Sequence, residues 1–297
     1  MIRLANAPVS WGIYEFEGIE PRFPFAQVLD EIVAAGYTGT ELGPYGYLPT
    51  EPERMRAEPD ARGLALLSAF VPVRLMNPYA HVEAEAEALR VGHLLAALGA
   101  QYLVLADANG SVPELVQRAG QRRDVWLDTQ GMRTVARGVD QIARAVADQC
   151  GLKLVVHHHC AGVLETPDEI RLLLDLTNPD LVGLCLDTGH WHYAGGDAVE
   201  CVREFGERVR YLHFKDCESQ IALRCRSEKL DYFQAVAAGV FCPLGAGEVD
   251  FPQIVAEMQA RGYDGWAIVE QDILTEDPAA PLRYARANRA YLQGLGL

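Results

Sequence analysis

The 297-residue sequence has few basic side chains, no paired cysteines and no long apolar run, and each absence excludes a class of protein. It holds 26 lysines and arginines against 41 aspartates and glutamates, which gives a formal net charge of −15. An acidic surface repels phosphate backbones and anionic lipids, and no local basic patch compensates for it. We therefore expect neither a nucleic-acid partner nor a membrane partner.

The seven cysteines are odd in number, and no two of them form a Cys-x-x-Cys pair. This spacing argues against a disulfide framework and a zinc ribbon, and favours reduced thiols in a cytosol. No stretch approaches the roughly 18 apolar residues that cross a bilayer, and the first residues lack a cleavable targeting signal. With 49% hydrophobic and 23% charged residues, the composition is typical of a globular protein. We expect a soluble, cytoplasmic protein.

Short apolar runs rich in β-branched residues alternate with longer amphipathic segments along the chain. We predict eight strands, at residues 2–9, 38–42, 64–71, 102–106, 153–157, 182–187, 210–214 and 266–270. We also predict eight helices, at residues 24–35, 51–62, 81–98, 129–149, 167–176, 198–208, 251–261 and 280–294. Strict alternation predicts an α/β fold, a single (β/α)8 barrel over residues 1–297. The alternative is an open sheet with a small second domain, although no glycine-rich dinucleotide fingerprint follows the first strand.

Polar residues end several of the predicted strands, where the chain leaves the core. Strands two and five to eight end in or just before metal-ligand side chains, namely Glu41, His157, Asp187, His213 and Glu270. In a (β/α)8 barrel these ends meet at one mouth. Crowded carboxylates and imidazoles need a compensating cation, and oxygen and nitrogen ligands suit Mn²⁺, Co²⁺, Mg²⁺ or Zn²⁺. Solvent exposure explains any one of these residues equally well, but four consecutive strands with such ends favour a metal site.

Three consecutive histidines begin at the last residue of the fifth predicted strand. Because side chains alternate across a strand, His157 and His159 should face the mouth together, while His158 points away. The alternative is a single mouth-facing histidine, with the other two hydrogen-bonded locally. Glu165 lies on the next loop. Its carboxylate either folds back into the mouth or stabilises the N-terminus of the helix that begins at Pro167.

Two weaker features concern the substrate. Trp11, after the first strand, is a candidate wall for a polar ring, although aromatic side chains at strand ends more often cap the core. The glycine-rich segment 244–251 could hold a phosphate at a helix N-terminus, but it contains Glu248 and Asp250 and has no P-loop lysine nearby. An uncharged small-molecule substrate is therefore expected.

Several segments resemble the inosose dehydratase family, which belongs to the wider superfamily of xylose isomerase-like TIM barrels. They are residues 6–12 (NAPVSWG), 39–49 (GTELGPYGYLP), 157–162 (HHHCAG), 186–190 (LDTGH), 193–197 (YAGGD) and 213–216 (HFKD). The similarity extends from the first strand to the last. The LDTGH and HFKD segments are shared across the superfamily, whereas the segment at 39–49 and the histidine triplet are specific to the dehydratases.

The resemblance implies a set of metal ligands. In the superfamily, Glu, Asp, His and Glu from strands five to eight hold a divalent ion, and the matching positions here are Asp187, His213 and Glu270. Many relatives have the first glutamate where this chain has His157. The fourth ligand is therefore Glu165, His157 or a water molecule.

The resemblance also implies a reaction in inositol catabolism. The enzyme would be a metal-dependent lyase, with Mn²⁺ or Co²⁺ favoured over Mg²⁺ and Zn²⁺. It would remove water from 2-keto-myo-inositol (scyllo-inosose) to give a trihydroxycyclohexane-dione. Glu270 or Glu165 would take the α-proton, and His190 or His159 would protonate the leaving hydroxyl. Lys215 would either stabilise the enediolate or form a salt bridge at the rim with Asp216 or Glu218. The predicted substrate contacts are Glu41, Trp11, His157, His159 and Asp216.

Other functions use the same residue types. The nearest alternative is a metal-dependent sugar isomerase or epimerase that acts through the same enediolate. An endonuclease IV-like hydrolase is disfavoured by the net charge of −15, and a polyol-binding protein would form no product. The sequence leaves open the native metal, the substrate stereoisomer, any thiol cofactor and assembly into a homo-oligomer.

Overall fold

A parallel sheet forms the centre of the computed structural model, which describes residues 1–16 and 19–297. Its strands, in chain order, are β1 (Ile2–Asn6), β2 (Gly39–Thr40), β3 (Ala65–Leu66), β4 (Phe70–Val73), β5 (Tyr102–Asp107), β6 (Lys153–His157), β7 (Val182–Asp187), β8 (Val209–Phe214) and β11 (Gly265–Val269). They pair in the order β3-β2-β1-β11-β8-β7-β6-β5-β4, each pair parallel. Two further strands, β9 (Asp216–Cys217) and β10 (Phe241–Cys242), pair antiparallel outside this sheet.

The sheet closes into a barrel through the predicted third strand. This segment divides into β3, which pairs with β2, and β4, which pairs with β5. Backbone hydrogen bonds continue across the break, from Leu67 N to Thr40 O at 3.0 Å and from Val104 N to Ala69 O at 3.0 Å. The predicted (β/α)8 barrel is confirmed, but its third strand is divided in two and ends two residues later than expected, at Val73.

Each of the eight predicted helices is present, and the described residues form four further α-helices. The helices are α1 (Phe25–Ala34), α2 (Pro52–Asp60), α3 (His81–Ala97), α4 (Pro113–Gln117), α5 (Thr129–Cys150), α6 (Pro167–Leu176), α7 (Thr188–Tyr193), α8 (Ala198–Phe205), α9 (Ser219–Glu228), α10 (Tyr232–Ala237), α11 (Phe251–Ala260) and α12 (Ala280–Gly294). The unpredicted ones, α4, α7, α9 and α10, lie in loops that follow strands. No helix in the described ranges is both long and apolar enough to span a bilayer.

Apolar side chains fill the barrel below the mouth. The largest core lies between the sheet and its surrounding helices, and a second cluster fills the interior with Ala5, Val104, Val155, Cys185, Tyr211 and Ile268. Alternation along each strand explains the division, because neighbouring residues face opposite sides. Tyr211 lies at the polar edge of this interior, where its hydroxyl is 2.7 Å from Ser68 Oγ. The barrel is therefore a packed core with polar groups gathered above it.

Candidate active site

The carboxyl ends of the strands bring the predicted ligand side chains to one mouth. Asp187 on β7 and His213 on β8 are paired residues, and His213 is also paired with Ile268 on β11, two residues before Glu270. The pocket above them is lined by Ala7, Pro8, Val9, Tyr14, Glu15, Phe16, Glu41, Gly43, Phe70, Pro72, Asn109, His157, His159, His213, Lys215, Glu270 and Asp272. Residues more than 200 positions apart in sequence thus share one pocket.

Lys215 stands at the centre of the charged groups. Its buried ammonium lies 3.1 Å from Asp187 Oδ2, 3.2 Å from Glu270 Oε2 and 2.9 Å from Asp272 Oδ1. Burial alone would lower the pKa of Lys215, but the three carboxylates outweigh it and raise that pKa well above its usual range. The side chain therefore stays cationic and is unsuited to form an imine with a ketone.

A compact group of possible ligands lies beside Lys215. His213 Nε2 is 3.2 Å from Glu41 Oε1, and His213 Nδ1 is 3.3 Å from Glu270 Oε1. Ser68 orients Glu41 by donating a hydrogen bond of 2.7 Å to the same Oε1. Ligand atoms of Glu41, His213 and Glu270 all lie within 4.8 Å of one another.

The chemistry of this group fits a divalent cation. Burial lowers the pKa of His213, but Cys185, Glu270 and Glu41 outweigh it and raise that pKa well above its usual range. The position therefore attracts positive charge. His157 forms another ligand cluster with Cys185 and His213, and its Nδ1 has no hydrogen bond to any described residue. Carboxylate oxygens and imidazole nitrogens suit Mn²⁺, Co²⁺ and Zn²⁺.

His159 forms one wall of the pocket and is supported from behind. Its ring centroid lies 3.9 Å from that of His190, and its Nε2 is 3.3 Å from the Tyr232 hydroxyl. Tyr232 donates a hydrogen bond of 2.7 Å to Asp272, whose Oδ2 is also 3.5 Å from His190 Nε2. Burial, together with His190, lowers the pKa of His159 well below its usual range, so the imidazole is neutral.

Comparison with known proteins identifies the family to which the chain belongs. Residues 29–293 match the family model of xylose isomerase-like TIM barrels. An inosose dehydratase of Geobacillus kaustophilus is 33% identical, covering 99% of this chain and 94% of that protein. An inosose dehydratase of Lacticaseibacillus casei is 32% identical, covering 98% and 96%. The chain belongs to the inosose dehydratase family of xylose isomerase-like TIM barrels.

A solved structure shares the fold. The IolI protein with a bound zinc atom superimposes with a TM-score of 0.70 at 15% identity, covering 99% of this chain and 98% of that one. The predicted family is thus confirmed together with its fold, and membership of the inosose dehydratase family makes the chain an enzyme.

Within this family member, the histidine triplet is arranged as alternation predicts. His157 and His159 line the pocket, whereas His158 turns away. His158 Nε2 accepts a hydrogen bond of 3.2 Å from the backbone N–H of Asp187, and its ring contacts Trp191 edge-on. Of the two histidines predicted as the acid, only His159 lines the pocket, and His190 lies behind it.

Glu165 is not brought into the mouth. Its buried carboxylate accepts hydrogen bonds of 3.0 Å from the backbone N–H groups of Gly120 and Ala161, and lies 3.9 Å from Arg122 Nε. Burial raises the pKa of Glu165 to about 7, against the opposing effect of Arg122. Because its oxygens are used by the loops, Glu165 does not join the ligand group, and we assign it neither the metal-ligand role nor the base role.

Trp11 and Asp216 also lie outside the pocket lining. The Trp11 ring is buried in the core and its Nε1 donates a hydrogen bond of 2.6 Å to Glu31 on α1. Asp216 accepts hydrogen bonds from the backbone N–H groups of Gly245, Gly247 and Val249. The glycine-rich segment therefore binds the protein's own Asp216 carboxylate. Neither Trp11 nor Asp216 is free to contact a substrate.

Two acidic residues that line the pocket, Asp272 and Glu15, were not among the predicted site residues. Asp272 follows Glu270 by two positions, so the period of an extended chain could have identified it. Glu15 lies on the loop after β1, away from a strand end, so neither a strand end nor the period of an extended chain indicated it. Burial, followed by the Glu270 carboxylate, raises the pKa of Glu15 to about 8.

Proposed function

We propose that this chain is an inosose dehydratase, which removes water from 2-keto-myo-inositol to give a trihydroxycyclohexane-dione. The observation that carries the proposal is the pocket itself, where Lys215 and the His213 ligand group face a cavity that also holds Glu15 and His159. Relatives of that name, similar over nearly the full length, support the choice of substrate. The polar lining suits a hydroxylated ring of small size.

A divalent ion is part of the proposal, with Mn²⁺ or Co²⁺ as the preferred ions. Asp187, His213 and Glu270 would hold it, as the resemblance implies, and Glu41, which was predicted as a substrate contact, would be the fourth ligand in place of Glu165. When bound, the ion would act as a Lewis acid that polarises the ketone. The zinc atom bound by the IolI protein, which shares this fold, supports a metal in the proposed site.

Glu270 is the proposed base. Burial raises the pKa of Glu270, but His213 and Lys215 outweigh it and lower that pKa below its usual value. The carboxylate is therefore ionised at neutral pH and can take the proton from the carbon next to the ketone. The ammonium of Lys215, 3.2 Å from Glu270 Oε2, stabilises the negative charge that develops on the enediolate.

Glu15 is the proposed acid. Loss of the β-hydroxyl requires a group that still carries a proton at neutral pH, and a carboxyl with a pKa of about 8 meets that condition. His159 does not, because its imidazole is held neutral. We assign His159 to a hydrogen bond with a ring hydroxyl. One proton is taken by Glu270 and one is given by Glu15, so that water leaves in each turnover.

The experiment is incubation of the purified protein with scyllo-inosose and Mn²⁺ or Co²⁺ in deuterated water. We expect the ultraviolet absorbance of an enolised dione, and mass spectrometry should show the loss of one water molecule. Exchange of the α-proton for deuterium without loss of water would contradict the proposal and identify an isomerase or epimerase. A protein that only binds inososes would give neither loss of water nor deuterium exchange.

A further inference from the structure

Three charged side chains are completely buried between two loops at the mouth. Arg122, Glu165 and Glu169 each have 0% exposure. Glu165 accepts hydrogen bonds from one backbone N–H on each loop, Gly120 on the first and Ala161 on the second. A buried carboxylate thus joins the two loops through their main chains.

Arg122 and Glu169 continue this connection. Two guanidinium nitrogens of Arg122 donate to the two carboxylate oxygens of Glu169 at 2.7 and 2.9 Å. Arg122 also donates to the carbonyl of Gly162 at 3.2 Å, and Glu169 accepts from the backbone N–H of Trp126 at 2.7 Å. We call Arg122, Glu165 and Glu169 the loop clamp.

The loop clamp acts on a strained turn beside His159. Ala161 has a φ of 79°, in the left-handed region that costs a residue with a Cβ about 1 kcal/mol. The Ala161 N–H is held in this conformation by Glu165 Oε2. The same turn contains hydrogen bonds from His159 N to Leu164 O at 2.9 Å and from Gly162 N to His159 O at 3.2 Å.

The turn also contacts the group behind His159. The backbone N–H of Cys160 donates to His190 Nδ1 at 3.4 Å, and His190 Nε2 lies 3.5 Å from Asp272 Oδ2. Because the turn fixes both rings, a shift of its backbone would move His159 relative to the pocket. A misplacement of about 1 Å at a reacting group can cost a factor of about 100 in rate.

Burying charged side chains costs free energy, and replacing a buried ion pair with well-packed apolar residues often leaves a protein equally stable. Stability alone therefore does not explain the loop clamp. Its position between two loops at the mouth indicates that it fixes the conformation of those loops. We propose that Glu165, together with Arg122 and Glu169, is a positioning residue that holds the Ala161 turn and thereby sets His159 against the substrate. The effect on turnover rests on the proposed function, whereas the effect on the turn does not.

Replacing Glu165 would change the electrostatic surroundings of the charged and titratable side chains near it. The charged and titratable side chains that act on it or respond to it are Arg122, Glu169, Arg123, Cys160 and Tyr193. None of them belongs to the proposed metal ligands. Replacement of Glu165 should therefore leave metal binding intact.

The test is Glu165→Gln, whose amide group offers one acceptor to two N–H donors. We expect kcat/KM for the inosose to fall about tenfold or more, with the metal content of the purified protein unchanged. Amide hydrogen exchange over residues 159–165 should be faster than in the wild type. Adding Ala161→Gly should restore most of the activity, because glycine adopts the left-handed conformation without a Cβ. The control is Asp197→Asn, which weakens the hydrogen bonds from Val199 and Glu200 at the start of α8 and should leave kcat/KM unchanged.

Wild-type kcat/KM and wild-type exchange in Glu165→Gln would overturn the proposal. Loss of bound metal in that variant would overturn it as well, since Glu165 would then be a ligand. Should Glu165→Gln fail to fold, Glu165→Asp gives the same comparison with the charge kept and the reach shortened. If the wild type fails to dehydrate inososes, the proposed function is wrong, and the exchange measurement still decides the role of the loop clamp.

Discussion

The carboxyl groups at the mouth are of two kinds, those with a lowered pKa and one with a raised pKa. Asp187, Glu270 and Asp272 contact Lys215 and have lowered pKa values, since the ammonium helps to outweigh burial. Glu15 lines the same pocket without such a contact, and burial raises its pKa to about 8. One pocket therefore contains both an ionised carboxylate and a protonated carboxyl group at neutral pH, which is the pairing that the proposed acid and base require.

Glu15→Gln tests this division. The acid is active only while protonated, and the pKa of Glu15 is about 8. The wild-type kcat should therefore fall as the pH rises through that value. The variant should be about 100-fold slower and should lack this decrease. The measurement is kcat against pH from neutrality upward. The control is Glu20→Gln, which replaces an exposed carboxylate of the same loop. Equal profiles for wild type and Glu15→Gln would assign the acid elsewhere.

Single residues could be predicted where a strand set their direction. His157, Asp187, His213 and Glu270 were identified because each lies at a strand end, and the barrel brings strand ends together. Glu165 and Asp216 lie on loops, where backbone N–H groups compete for a carboxylate. Their partners, such as Gly120 and Gly247, are distant in sequence. No local pattern reveals such a pairing.

At the scale of elements, the contact between α7 and the end of β8 holds Lys215 in place. Asp187 caps α7 by accepting a hydrogen bond of 2.8 Å from the His190 N–H through Oδ1, which leaves Oδ2 for the Lys215 ammonium. Gly189 on α7 packs directly on Lys215. A Cβ there would lie 2.6 Å from Lys215 Cγ and 3.1 Å from its backbone carbonyl carbon.

Gly189→Ala should therefore lower kcat at least about tenfold by displacing the Lys215 side chain. The matched control is Gly294→Ala on α12, where an added Cβ would meet no atom of the described residues within 4 Å. Alanine favours a helix, so this control should keep full activity and equal or greater stability. Steady-state kinetics and thermal unfolding of both variants give the comparison. Full activity in Gly189→Ala would show that the contact does not position Lys215.

Regular elements could be predicted from periodicity, and the irregular ones could not. Long amphipathic patterns gave all eight barrel helices, because one apolar face must be buried against the sheet. The short helices α4 and α7 have too few residues for a period to emerge. The third strand divides near Ser68, whose hydroxyl binds Glu41 and Tyr211. That division depends on tertiary contacts rather than on local preference.

At the scale of the whole molecule, barrel closure makes a site from residues that no short segment contains. The proposed ligands extend from Glu41 on the loop after β2 to Glu270 after β11, and the two meet through His213. A net charge of −15 with several carboxylates at one rim favours a cation there and an uncharged substrate. We therefore expect this rim to bind a divalent ion that dehydration requires.

The most direct measurement is a titration of chelator-stripped protein with Mn²⁺ or Co²⁺, with bound metal and dehydration of scyllo-inosose followed together. We predict no turnover in the stripped protein and recovery that saturates at one ion per chain. His213→Ala should keep its fold but neither bind the ion tightly nor regain activity. Full turnover by the stripped wild type, or normal metal binding and turnover in His213→Ala, would contradict the account.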